Sequence, residues 1–324
     1  MIDLSTTLPI AFIALVVERL VGYPRFLLKR IGHPVEWMGG LVSFLDRRLN
    51  RHSEKRWGGR VRGTIAVLVL MLIVLAITVP ISFALRHYEG GWIVEALLAS
   101  SFLAQVDLRR YVEAVAEGLE KGGVEQGRIA VSHIVGRDPS PLDESGIVRA
   151  ALESLAENTS DAIVAPAIWL ALFGLPGIII YKAINTADSM IGHKTERYQN
   201  FGWAAARLDD LVNLPCSRLT GFLIAGATSL TSPSRGAAAF EYMLRDAKRH
   251  FSPNAGWPEA ALAGALEVRL GGPRFYEGVK VDLPWMGRGR HVLAAWHIRE
   301  GLKLQARTLN LFTILIALGA MFSP

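Results

Sequence analysis

The chain carries one cysteine, Cys216, in 324 residues. It can form no intramolecular disulfide and no cysteine-based metal cluster. There is no P-loop pattern, no dinucleotide fingerprint and no serine elbow, so the commonest nucleotide and hydrolase scaffolds are not signalled. No internal repeat and no low-complexity linker interrupts it. The N-terminus lacks a basic n-region and a small-residue cleavage site, so no cleavable signal peptide is expected. Charge is missing altogether from residues 63–85 and 162–180.

What is there instead is apolar surface gathered into runs. The chain is 51% hydrophobic, with a mean hydropathy of +0.30. Residues 63–85 are about long enough to cross a hydrocarbon core of ~30 Å. Residues 8–17, 92–106 (with the single acid Glu95), 218–230 and 308–322 are further candidates. The predicted fold class is all-α: a polytopic integral membrane protein with four or five transmembrane helices, one broken or re-entrant apolar segment and cytoplasmic helical loops. It is read as one membrane-embedded domain. Residues 1–106 hold the first spans and a basic loop, 107–232 a polar core, 233–307 a peripheral cytoplasmic segment and 308–324 the last span.

The formal charge of +6 does not indicate nucleic acid, because the basic residues crowd beside spans. Between Gly22 and Arg62 stand ten Lys/Arg, Arg51 and Lys55 among them, against three Asp/Glu. The positive-inside rule places this loop in the cytoplasm, and the expected location is the cell's inner membrane.

Chemistry is expected where polar side chains meet the second charge-free run. Glu153, Glu157 and Asp161 recur every four residues, which puts them near one face of a helix. A carboxylate costs roughly 3 kcal/mol at mid-bilayer on insertion scales, so the row should avoid lipid. It either lines a polar cavity as hard oxygen ligands for Mg²⁺ or is a solvated face steadied by Arg149. The helix is predicted to start with Ser140 as N-cap, Pro141 at N1 and Asp143 at N3. Gly174-Leu175-Pro176-Gly177 should break the run into a re-entrant segment or a tight helical pair.

Beyond the break, Lys182, Asn185 and Asp188 can share a face. Lys182 either snorkels or contacts a phosphate beside a metal-ligating Asp188. Lys194, Arg197 and Arg207 either clamp phosphates or, for the two arginines, pair with Asp209 and Asp210. Adjacent aspartates cannot face the same way, so one should be functional and the other a pair partner. His33, before Pro34, is a base, a ligand or a turn residue. Pro253-Asn254-Ala255-Gly256 is a turn that can shape a ligand loop.

Several of these segments together resemble the integral-membrane adenosylcobinamide-phosphate synthase family of cobalamin biosynthesis. They are His33-Pro34-Val35 with Met38-Gly39, Val135-Gly136-Arg137-Asp138, Glu153 through Asp161 with Ala165-Pro166, and Tyr181-Lys182-Ala183-Ile184-Asn185-Thr186. Asp188-Ser189-Met190-Ile191-Gly192, Glu196-Arg197-Tyr198, Ala206-Arg207-Leu208-Asp209-Asp210 and Pro253-Asn254 with Gly256 follow in order. Cys216 departs mildly, standing where a small residue such as alanine is expected. The resemblance implies an ATP-consuming ligase. It would join the free carboxyl of adenosylcobyric acid to aminopropanol phosphate, or to aminopropanol, at an active site facing the cytoplasm.

On that basis Glu153, Glu157, Asp161 and Asp188 are assigned to Mg²⁺. Arg149, Lys182, Asn185, Lys194, Arg197, Arg207, Asn254 and His33 are assigned to substrate and phosphate, with His33 a candidate contact to the corrin cobalt. Asp209 or Asp210 is assigned to proton acceptance, with Lys182 also catalytic. The partners implied are ATP, the corrinoid acid, the amine, the lipid bilayer and other enzymes of the pathway, and a homo-oligomer is compatible. Two rival classes fit parts of the pattern: a Mg²⁺-dependent prenyl- or phosphatidyl-transferase, and a non-enzymatic transporter or scaffold for corrinoid enzymes.

Overall fold

The structure is a computed structural model that describes residues 3–50, 56–136, 138–276, 279–281 and 283–323; Arg51, Lys55 and Arg137 lie outside them. The described residues are overwhelmingly helical. The helices are α1 (Leu4–Val21), α2 (Arg25–Ile31), α3 (Pro34–Leu49), α4 (Arg56–His87), α5 (Gly91–Ser100) and α6 (Gln105–Ser132). They continue with α7 (Glu144–Thr159), α8 (Ala165–Ile191), α9 (Trp203–Ser229), α10 (Pro233–Asp246), α11 (Gly256–Leu266) and α12 (Ala295–Phe322). A π-helical turn, Ser160–Val164, stands between α7 and α8. Four short strands pair antiparallel: β1 (Leu270–Gly271) with β4 (Trp285–Met286), and β2 (Arg274–Tyr276) with β3 (Val279–Val281).

Among the described residues, five helical stretches are long and apolar enough to cross a membrane: Leu4–Val21, Arg56–His87, Gly91–Ser132, Glu144–Ile191 and Ala295–Phe322. Residues 218–229 of the candidate stretch 218–230 are helical, as part of α9, which is not among them.

The chain forms two compact units. One comprises Met1–Ala104, Ala165–Asn213 and Ile316–Pro324, the other Gln105–Val164 and Leu214–Leu315. In the first, α1 packs on α5 and α8, and α4 on α3, α5 and α8. The buried faces are rich in small residues: Ala11, Ala14, Ala96, Ala99 and Ala167 are all fully buried. Such residues let helix backbones approach closely, the packing mode that works where lipid is as apolar as the side chains. In the second unit α7 packs on α6 and α11, and α10 on α11. Residues 233–307 contribute to this unit's core: Ala260, Ala261 and Ala263 of α11 are fully buried.

The expected break in the second charge-free run is present. Gly174 adopts φ 66°, ψ −155° inside α8. A Cβ on Gly177 would come within 2.2 Å of the Trp169 carbonyl oxygen. Eight residues along a straight helix span ~12 Å, so the chain reverses here into a tight helical pair. Gly123 turns α6 in the same way, with φ 66° and ψ −159°.

Glu95 holds the Gly174 turn. It is fully buried and accepts from Arg86 Nε at 2.8 Å, Arg86 Nη2 at 2.9 Å, Ser82 Oγ at 2.9 Å and the Leu175 backbone N–H at 3.0 Å. That last donor belongs to the first turn after the break, where helical N–H groups lack a partner of their own.

A buried carboxylate and its surroundings

The two units hold different parts of the predicted site. In the first, α8 and α9 bring four side chains into a chain of hydrogen bonds. The Tyr181 hydroxyl donates to Asn213 Oδ1 at 2.8 Å. Asn213 Nδ2 donates to Asp209 Oδ2 at 3.1 Å, and Asn185 Nδ2 to Asp209 Oδ1 at 3.2 Å. Tyr181 and Asn213 are essentially inaccessible, and Asp209 is buried. Both carboxylate oxygens are thereby aimed. The spacing explains the arrangement: Tyr181 and Asn185 are one turn apart on α8, as are Asp209 and Asn213 on α9.

Burial pushes the Asp209 carboxyl above the usual carboxylate range. The two amide hydrogen bonds pull it partly back, the neighbouring Asp210 pushes it up and the Lys182 charge draws it down. Asp210 points elsewhere. It pairs with Arg207 at 3.6 Å on the surface, and burial raises its carboxyl against the pull of Arg207 and Lys194. The two aspartates diverge, Asp209 turned inward and Asp210 paired with Arg207. Arg207 is 68% exposed.

Arg197 is engaged by a residue that the sequence reading missed. Its Nη2 donates to Asp46 Oδ2 at 2.5 Å, Asn50 Nδ2 donates to Asp46 Oδ1 at 2.8 Å, and the Tyr198 hydroxyl approaches at 3.4 Å. Asp46 is buried although it stands in a basic run beside Arg47 and Arg48. The only signal was a lone acid among cations. Lys194 is exposed in the connection between α8 and α9, and the Asp188 carboxylate lies against Gly192. His33 stands at a turn. It is the N-cap of α3, its Nδ1 accepting from Val35 N while Glu36 accepts from His33 N, a reciprocal capping box.

In the second unit α7 begins later than predicted. Asp143, not Ser140, is the N-cap, accepting from Gly146 N at 2.7 Å. Ser140 is drawn instead into a local turn with Asp138. Arg149 donates to the His291 carbonyl at 3.1 Å and lies over the Trp285 ring at 4.9 Å. Glu153 is buried and accepts from the Gly271 backbone N–H at 2.7 Å.

Glu157 is exposed, and Asp161, on the π turn, is half-buried. Each four-residue step drifts about 40° around a helix, so the row does not meet one environment. Asn254 ties its loop to α9, accepting from Ser217 Oγ and Arg218 Nη1, both at 3.1 Å. Burial pushes the Cys216 thiol up to about 12, which makes it a poor nucleophile.

Among the described residues no group of three or more His, Cys, Asp and Glu is placed to hold a metal ion. Of the four carboxylates assigned to Mg²⁺, Glu153, Glu157 and Asp161 belong to one unit and Asp188 to the other. Glu157, Asp161 and Asp188 carry the hard oxygens that Mg²⁺ prefers, and it commonly binds through one or two carboxylates, completing its shell with water and substrate phosphate.

These features define a helical multi-pass membrane protein with a buried, hydrogen-bonded carboxylate on α9. The family model described as CobD/Cbib protein matches residues 11–305. A Sinorhizobium protein is 49% identical over 305 residues, 92% of this chain and 93% of its own. One from Rhodobacter capsulatus is 48% identical over 313 residues, 95% and 96% of the two chains, and one from Brucella suis 45% over 312 residues, 95% of each. All three carry the name cobalamin biosynthesis protein CobD. No solved structure matches the chain. The chain belongs to the CobD/Cbib family, and its role is in cobalamin biosynthesis.

Proposed function

We propose that this protein forms an amide between the free carboxyl of adenosylcobyric acid and the amine of aminopropanol phosphate or aminopropanol, with ATP consumed. The observation that carries the reading is Asp209, a buried carboxylate of raised pKa with both oxygens fixed by Asn185 and Asn213 and with Lys182 in its field. An alkylammonium ion has no lone pair, so the amine must lose a proton before it can attack. A base whose pKa is raised above the ordinary carboxylate range suits that step better than an unperturbed carboxylate.

A carboxylate is a poor electrophile, and phosphorylation converts it to an acyl phosphate. The amine nitrogen then bonds the acyl carbon, the carbon–oxygen bond to phosphate breaks, and Asp209 takes the proton. Lys182 and Lys194 would meet phosphate charge, with Asp188 on the same helix as Lys182 an oxygen donor for a Mg²⁺–nucleotide; Glu153, Glu157 and Asp161, which belong to the other unit, are the further carboxylates suited to Mg²⁺. When bound, Mg²⁺ supplies charge neutralisation at the phosphate oxygens.

The test is direct. Protein purified in detergent receives adenosylcobyric acid, aminopropanol phosphate and MgATP, and the amide is sought by mass spectrometry. Glu157→Gln and Asp188→Asn should each lower the rate and raise the Mg²⁺ concentration needed for half-maximal turnover. Unchanged turnover in both would remove the metal assignment.

Because ATP is cytoplasmic, the loop after α8 must face inside. The helical pair at Gly174 allows this, since a reversing segment returns the chain to the side it left. A Gln199→Cys protein should react with an impermeant maleimide only after the inner membrane is opened. Cys216 will not compete for the reagent, because its thiol is buried and pushed up to about 12. Labelling in intact cells would overturn both topology and site.

A further inference from the structure

The short helix α2 is the least protected apolar element outside the long spans. None of its residues is buried. Phe26 is 63% exposed, Leu28 45% and Ile31 50%. At 100° per residue, Leu27, Leu28 and Ile31 fall within an arc of about 100°, and Arg25, Lys29 and Arg30 fall within about 140° on the other side, with Phe26 between Lys29 and Arg30.

The segment is held at both ends. The Tyr23 hydroxyl donates to the Gly32 carbonyl at 2.9 Å, and Trp37 Nε1 donates to the Ile31 carbonyl at 2.8 Å. Gly32, at φ 73°, turns the chain into α3. Trp37 itself is 56% exposed. A tethered helix with an apolar arc, a cationic arc and a flanking tryptophan matches the pattern of helices that lie in the membrane–water interface.

We propose that α2 is an interfacial helix that binds anionic phospholipid. Leu27, Leu28 and Ile31 enter the acyl boundary while Arg25, Lys29 and Arg30 hold the headgroup phosphates. The occupant follows from charge complementarity: α2 carries three cations and no acid. This surface is independent of the amide-forming reaction, so either reading can fail alone.

The experiment uses the full chain in nanodiscs, with a fluorophore on Leu28→Cys. Nitroxide-tailed phosphatidylglycerol should quench it more strongly than nitroxide-tailed phosphatidylcholine. Each cation near an anionic surface is worth roughly a fivefold preference, so Arg25→Gln/Lys29→Gln/Arg30→Gln should reduce the preference by a factor on the order of 100. In the protein with its three cations intact, 1 M salt should also weaken the preference, because exposed charges are screened; this arm stands even if the triple variant does not fold. Equal quenching by both lipids would overturn the proposal. So would a label open to aqueous quenchers in either lipid, or one shielded by a second copy of the chain.

Discussion

The Asp209→Asn protein is expected to form amide about 10²–10⁴ times more slowly, the range that a positioned general base contributes. The substitution preserves size and shape but removes the ability to take a proton. It also turns one acceptor into a donor facing the amide of Asn185 or Asn213, a local mismatch of about 1 kcal/mol. Against that stands the removal of a charge that burial disfavours. A carboxyl whose folded pKa is raised stabilises the fold most below its unfolded pKa, and that contribution is lost as pH rises through the folded value. At neutral pH the variant should therefore melt close to the parent, and lost activity can be read as lost chemistry.

The pH dependence has a definite sign. A base works only when ionised, so kcat/KM should rise with pH through an acid limb above the ordinary carboxylate range. Asn213→Ala removes a hydrogen bond that favours the ionised form, so its limb should move to still higher pH. Parent-like turnover by Asp209→Asn, or an acid limb that stays put in Asn213→Ala, would remove Asp209 from the mechanism.

The second large effect is on stability. Glu95→Ala should destabilise the protein by roughly 3–5 kcal/mol, because it leaves the Arg86 guanidinium without its carboxylate in a low-dielectric setting. It also strips the acceptor from the Leu175 N–H at the helical turn. A Glu95→Leu/Arg86→Leu pair should recover part of the loss, since removing both charges leaves neither uncompensated. Gly174→Ala should act on the same point: its Cβ would lie 2.3 Å from Arg86 Nη2, at a φ of 66° that L-residues rarely adopt. Thermal unfolding in detergent measures all of these. A parent-like melt for Glu95→Ala would show that the turn does not depend on the pair.

How much could be read beforehand differs from element to element. The charge-free residues 63–85 became the middle of α4, because lipid-facing helices must be apolar and no partner is needed to know it. The turn at Gly174 was legible from its Gly-Leu-Pro-Gly composition. The opposite fates of Asp209 and Asp210 followed from helical geometry alone. The acidic row was read less well. Its spacing put Glu153, Glu157 and Asp161 near one face, but Gly271, 118 residues further on, claims Glu153. Ser140 looked like a helix cap because nothing local revealed that Asp138 would capture it.

Hydropathy, charge placement and helix periodicity, all properties of neighbours along the chain, settled the class of fold, the membrane setting and which residues deserved suspicion. Only the folded molecule decided which polar groups meet. Asp46 with Arg197, Tyr181 with Asn213 and Glu95 with Leu175 lie far apart in sequence, and a buried donor or acceptor takes its partner from whatever the packing of helices brings within 3 Å.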